Sequence, residues 1–126
     1  MKSLREDRGS GTVMTTALVI VALLLTGALL AWAAAVRAAM TAASAADLAA
    51  LAAADTARGL RPGDPCGVAA ELAAANKAHL DSCLVEADGQ TAAVTARVGI
   101  ASEIMGFEIY SATARARAGA PPLDQP

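Results

Sequence analysis

At 126 residues the chain has room for one small domain, which excludes a multidomain enzyme. Its apolar share of 56% is about half alanine, because 35 residues are Ala, and single Phe, Tyr and Trp residues cannot build a large aromatic core or a stacking platform for single-stranded nucleic acid. Ten basic against 12 acidic side chains, a formal net charge of −2, exclude the basic footprint of a nucleic-acid binder.

Residues 1–11 read as a short leader carrying Lys2, Arg5 and Arg8 against Glu6 and Asp7. From Gly9 to Val36 there follow 28 positions without a charge, bracketed by Arg8 and Arg37. About 20 apolar helical residues cross a bilayer core, so residues 12–36 are expected to form a transmembrane helix. Ten Leu, Ile and Val residues between Leu18 and Val36 contribute about −3 to −6 kcal/mol toward insertion. The basic leader favours a cytoplasmic N-terminus, and the rest of the chain, with 7 basic and 10 acidic groups, is expected outside. The rival reading is a secretory signal, with residues 31–33 (Ala-Trp-Ala) as a small-residue cleavage site and a soluble product released after Ala33; an apolar run this long favours an anchor.

No Gly or Pro interrupts Val36 to Arg58, and alanine is the best helix former, so residues 37–58 extend the same helix until Gly59 caps it and Pro62 prevents its resumption. The expected helix, Thr12 to Arg58, spans roughly 70 Å at 1.5 Å per residue. On it Ala45, Ala46, Asp47, Leu48 and Leu51 form the candidate helix-packing surface, with Leu48 and Leu51 as a narrow apolar stripe. Ala17, Ala22, Gly27, Ala28, Ala31 and Ala35 supply small-residue faces within the span.

Residues 59–118 are expected to form a small αβ head. Asp64-Pro65 starts a second helix, Asp as the cap and Pro at the first helical position, running to about Leu80. Leu84 to Ala87, a type I′ turn at Asp88-Gly89, and Gln90 to Ile100 read as a hairpin; Phe107 to Ala118 alternates as a third strand whose alanines face another element, the outer half of the long helix. Residues 119–126 form a tail without core potential. Cys66 and Cys83 both follow the span, so the simplest reading outside the cytoplasm is a disulfide closing an 18-residue loop; two buried thiols are the alternative.

No convergent chemistry is evident. His79, the only histidine, is expected at the exposed end of the second helix, where Asp81 would not face it. Asp47, Asp55, Glu103 and Glu108 show no metal-ligand spacing. Ser10 lies between glycines with no strand before it, and no phosphate-binding glycine loop occurs. The expectation is a protein that is not an enzyme, without cofactor or metal, partnered by membrane lipid and other protein subunits, and binding neither nucleic acid nor a small-molecule substrate.

The order Arg8-Gly9, Thr12-Val13, the run from Ala45 to Ala52, Pro65-Cys66, Asn76 and Cys83 resembles the TadE/TadG-like pilus-assembly proteins, in particular an actinobacterial TadE-like branch of secretion neighbourhoods. That resemblance implies a pilin-like, membrane-anchored α+β fold and a role as minor pilin, pseudopilin or accessory subunit of a tight-adherence (Flp, type IVc) pilus or related secretion system. It also implies a leader-processing site at Gly9 or Gly11, since some such proteins are cut by a prepilin peptidase. The family's glutamate at the fifth mature position is replaced here by Met14 or, for cleavage after Gly11, by Thr16.

Overall fold

The computed structural model describes residues 9–101 and 108–120. Two helices precede a three-stranded antiparallel sheet: α1 (Ser10–Ala57), α2 (Pro65–Ala75), β1 (His79–Val85), β2 (Ala92–Ala101) and β3 (Glu108–Ala118), with sheet order β1-β2-β3. The chain divides into two units, Met1–Ala34 and Ala35–Pro126. The first contains the N-terminal part of α1, long and apolar enough to cross a membrane. The leader positions 1–8, Glu103, Phe107 and the tail from Pro121 onward lie outside the described residues.

Both helices stop in the same way. Gly59 takes φ 76, its amide donates to the Thr56 carbonyl, and the Leu60 amide donates to that of Asp55, a Schellman cap that ends α1 at the glycine marked in the sequence. At the end of α2 the equivalent bonds run from Lys77 to Ala74 and from Ala78 to Ala73, and Lys77 itself adopts the left-handed φ of 59. The second helix therefore ends at Ala75, short of the expected Leu80: the left-handed Lys77 turns the chain, and His79 and Leu80 pair with Arg97 and Ala96 of β2 instead. Its start is as expected, with the Asp64 carboxylate accepting from the Gly67 amide at 2.7 Å and Pro65 in the first turn.

The hairpin turn also differs from expectation. A type I′ turn requires positive φ at both central residues, but Asp88 lacks it and only Gly89 (φ 67) has it. Residues 87–90 instead form a longer connection: the Gly89 amide donates to the Glu86 carbonyl, and the Glu86 amide to that of Thr91. The Asp88 carboxylate organises it by accepting from the Gln90 and Thr91 amides and from the Thr91 hydroxyl at 3.0, 2.9 and 2.5 Å. An aspartate that satisfies nearby amides competes successfully with the tighter turn.

In the second unit α1 lies on one face of the sheet, and the contact is made almost wholly of methyl groups. Of the 16 buried apolar residues described, all but Val94 are alanine. Ala38 and Ala42 pack with Ala112; Ala45 and Ala46 with Ala78 and Ala96; Ala49, Ala50, Ala53 and Ala54 with Ala69, Ala73, Ala92 and Val94. These α1 positions recur at three- and four-residue intervals, one helical face, while Ala92, Val94 and Ala96 recur at two, one strand face.

Candidate functional site

The first unit offers a surface rather than a cleft. Side chains from Val13 to Leu30 stand exposed all round the helix, and Trp32 is 73% exposed. Such a surface suits a solvent as apolar as itself. The polar groups on it are satisfied internally: the hydroxyls of Thr12, Thr15, Thr16 and Thr26 donate to the carbonyls of Gly9, Gly11, Thr12 and Ala22 at 2.8 to 3.1 Å. An i−3 or i−4 back-bond removes the cost of an unpaired hydroxyl in hydrocarbon. Gly9 and Gly11 are both exposed at the start of this segment.

In the second unit the five packing positions separate by side-chain size. Ala45 and Ala46 are fully buried against the chain's own sheet. Asp47 is exposed on the opposite side, and Leu48 and Leu51 are 41% and 54% exposed. The Leu48–Leu51 stripe therefore does not face the head's core; alanines of α1 do.

Cys66 and Cys83 form a disulfide, with Cα atoms 5.7 Å apart. Cys66 lies in the first turn of α2, and Cys83 is the fifth residue of β1, a strand that begins at His79 rather than at the expected Leu84. The bond ties α2 to the sheet where Leu80 and Cys83 pack on the Ala-Val94 cluster.

The outer face of the sheet is polar. Ser82, Thr95 and Arg115 stand in register across three strands, flanked by Leu84, Ala93 and Arg117, and together line a shallow depression of about 500 Å³. Arg117 makes a bidentate pair with Glu86 (2.5 and 2.6 Å), and its donated hydrogen bond is the main reason the Glu86 carboxyl is held below its ordinary pKa, while Arg117 is raised. Arg97 meets Asp81 at 3.2 Å. Asp81 is the bulged residue between Leu80 and Ser82. His79 is the first residue of β1, exposed, not a helix-end residue. Among the described residues no group of three or more His, Cys, Asp or Glu side chains could hold a metal ion.

No family model matches the chain, and comparison with curated proteins and with solved structures likewise finds no match.

Proposed function

We propose that the chain is a non-enzymatic, single-pass membrane subunit with its N-terminus in the cytoplasm and its disulfide-closed head outside. In this reading it acts as a minor pilin, pseudopilin or accessory component in assembly of a tight-adherence pilus or related secretion system. The observation that carries the anchor is the surface of α1, exposed all round and predominantly apolar from Val13 to Leu30, with the hydroxyls of Thr12, Thr15, Thr16 and Thr26 bonded back to the helix. Flanking charge supports the orientation, and a disulfide fits an oxidising compartment. The pilus assignment rests on the resemblance of the leader, the Ala45 to Ala52 run and the cysteine positions to TadE/TadG-like proteins. The partners in this reading are lipid around the span and other subunits along α1.

Trp32 is the only tryptophan, which makes the anchor directly measurable. In vesicles containing lipids brominated at different depths, its fluorescence should be quenched most by bromines near the headgroup boundary, the position that indole favours. Absence of quenching, or a product beginning near Ala34 found free in the medium, would overturn the anchor in favour of a cleaved secretory signal. Mass spectrometry of the mature N-terminus distinguishes cleavage after Gly9 or Gly11 from an intact Met1. Co-purification from membranes with pilus-assembly subunits tests the pilus role, and isolation of the chain without any of them would count against it.

A further inference from the structure

We propose that the end of the head formed by Ile100 and Tyr110 rests on the lipid surface itself, with Tyr110 seated among the headgroups at the level where α1 leaves the bilayer. The inference rests on the membrane reading of α1 and adds to it a second point of lipid contact, made by the head.

The level follows from how β3 lies along α1. Ala112 packs with Ala38 and Ala42, Ala114 with that cluster and with Ala45 and Ala46, and Ala118 with the cluster of Ala49, Ala50, Ala53 and Ala54, so β3 and α1 run in the same direction. Tyr110 stands two residues before Ala112, about 7 Å farther back along the strand. At 1.5 Å per helical residue, that distance leads from the middle of the Ala38–Ala42 pair to about residue 36 of α1. Arg37 is the first charge after the uncharged run that begins at Gly9. The end of the sheet and the end of the uncharged run therefore stand at the same height.

The chemistry of that end matches its height. Tyr110 is 60% exposed although it pairs with Ile100, which packs on the cluster of Ala38, Ala42 and Ala112. One exposed aromatic is ordinary on a protein surface, and what sets this one apart is its surroundings. From Ala38 to Ala46 in α1, Val98 to Ala101 in β2 and Ile109 to Ala114 in β3 no residue is charged, and Glu108 is the only charge on the described strand ends there. The ion pairs of the sheet, Arg97 with Asp81 and Arg117 with Glu86, lie farther along. A phenol carries an apolar body and a polar tip, the combination enriched where hydrocarbon meets water.

Continuity with the span selects lipid as the occupant. The headgroup layer is about 5–7 Å deep on each side of the hydrocarbon. A strand end level with the last uncharged residues of α1 reaches that layer with no other partner, whereas a protein covering Tyr110 would first have to displace the headgroups around the helix.

The unmodified full-length chain in phosphatidylcholine nanodiscs supplies the first test, because Tyr110 is its only tyrosine. Nuclear Overhauser contacts from the ring protons to glycerol and headgroup protons are expected. Depth is read in vesicles of brominated phosphatidylcholine with a single indole, Trp32→Phe combined with Tyr110→Trp, whose fluorescence should be quenched most by the bromines nearest the headgroups. Trp32→Phe combined with Leu84→Trp places the indole at an exposed position toward the opposite end of the sheet, where little or no quenching is expected. No lipid contact at position 110, while Trp32 of the parent chain is quenched, would overturn the inference and leave the anchor standing. Absence of both would overturn the anchor and the inference together. Equal quenching at positions 110 and 84 would mean that the head lies on its side, against contact through this end. Ring contacts to another copy of the chain in place of lipid, growing with protein concentration, would assign Tyr110 to an interface between copies and would also overturn it.

Discussion

Cys66 and Cys83, 17 positions apart in sequence, bring the first turn of α2 to the middle of β1 with their Cα atoms 5.7 Å from each other. The link joins two elements that also meet in one apolar cluster, through Ala69 and Ala73 of α2 and Leu80 of β1. Closing this loop restricts the unfolded chain by about 3 kcal/mol in the entropy model, a large share of what so small a head can have. Cys66→Ser should therefore lower the thermal midpoint of the head sharply under oxidising conditions. Reductant should lower the parent to the same value and leave the variant unmoved; equal midpoints for parent and variant in oxidant would disprove the contribution.

The methyl-lined contact predicts an asymmetry between neighbouring positions of α1. Ala49 is fully buried between helix and sheet, and enlarging it to Leu should cost at least about 1–3 kcal/mol. Leu51, two residues on and 54% exposed, should tolerate Ala within about 0.5 kcal/mol. Denaturant unfolding of the two variants, followed by circular dichroism, gives the comparison.

Lys77 holds the left-handed conformation that ends α2, and a side chain there costs roughly 1 kcal/mol relative to glycine. Lys77→Gly should accordingly raise head stability by about that amount. A decrease would show that the lysine side chain contributes something that its backbone geometry does not reveal.

The β1–β2 connection should be acid-sensitive. The hydrogen bond from Arg117 holds Glu86 below its ordinary 4.5, and those from the Thr91 hydroxyl and the Gln90 and Thr91 amides hold Asp88 below 3.8. A carboxyl lowered on folding stabilises fully above its unfolded value, and that stabilisation is lost as pH falls through the folded value. Protection of the Gln90 and Thr91 amides, taken relative to their intrinsic exchange rates at each pH, should thus fall as pH drops below about 4, and Asp88→Ala should remove it already at neutral pH. Pair-driven protection at Arg117 should weaken in high salt, as expected of exposed charges.

Much of this architecture is legible along the chain where the signal is local. Gly59, Asp64 and Pro65 mark helix ends because capping is a matter of a few neighbouring amides, and the alternation Val94-Ala96-Val98 declares a strand with one covered face. The cysteine pair follows from two residues and a compartment. What escapes is decided by competition or by distance. Asn76-Lys77 carries no glycine, so nothing local announces that α2 stops there. Asp88-Gly89 resembles a tight turn until the carboxylate's preference for the amides of residues 90 and 91 is weighed. Asp81, at the bulge, pairs with Arg97, 16 residues away. Leu48 and Leu51 mislead for a different reason: burial usually favours the larger apolar side chain, and here the buried face of α1 is alanine.

The alanine contact has a consequence for how the head can vary. A core of leucine or phenylalanine is damaged chiefly by truncation, since each lost methylene leaves a cavity. Here almost no buried side chain has more than one carbon to lose, so deletion has little to remove and nearly every replacement adds volume. Tolerance is therefore one-sided: the interior resists becoming emptier and fails by becoming fuller. Sequence drift in this head is steered away from the helix–sheet seam and onto the outer leucines and the polar sheet face, where change leaves the fold undisturbed.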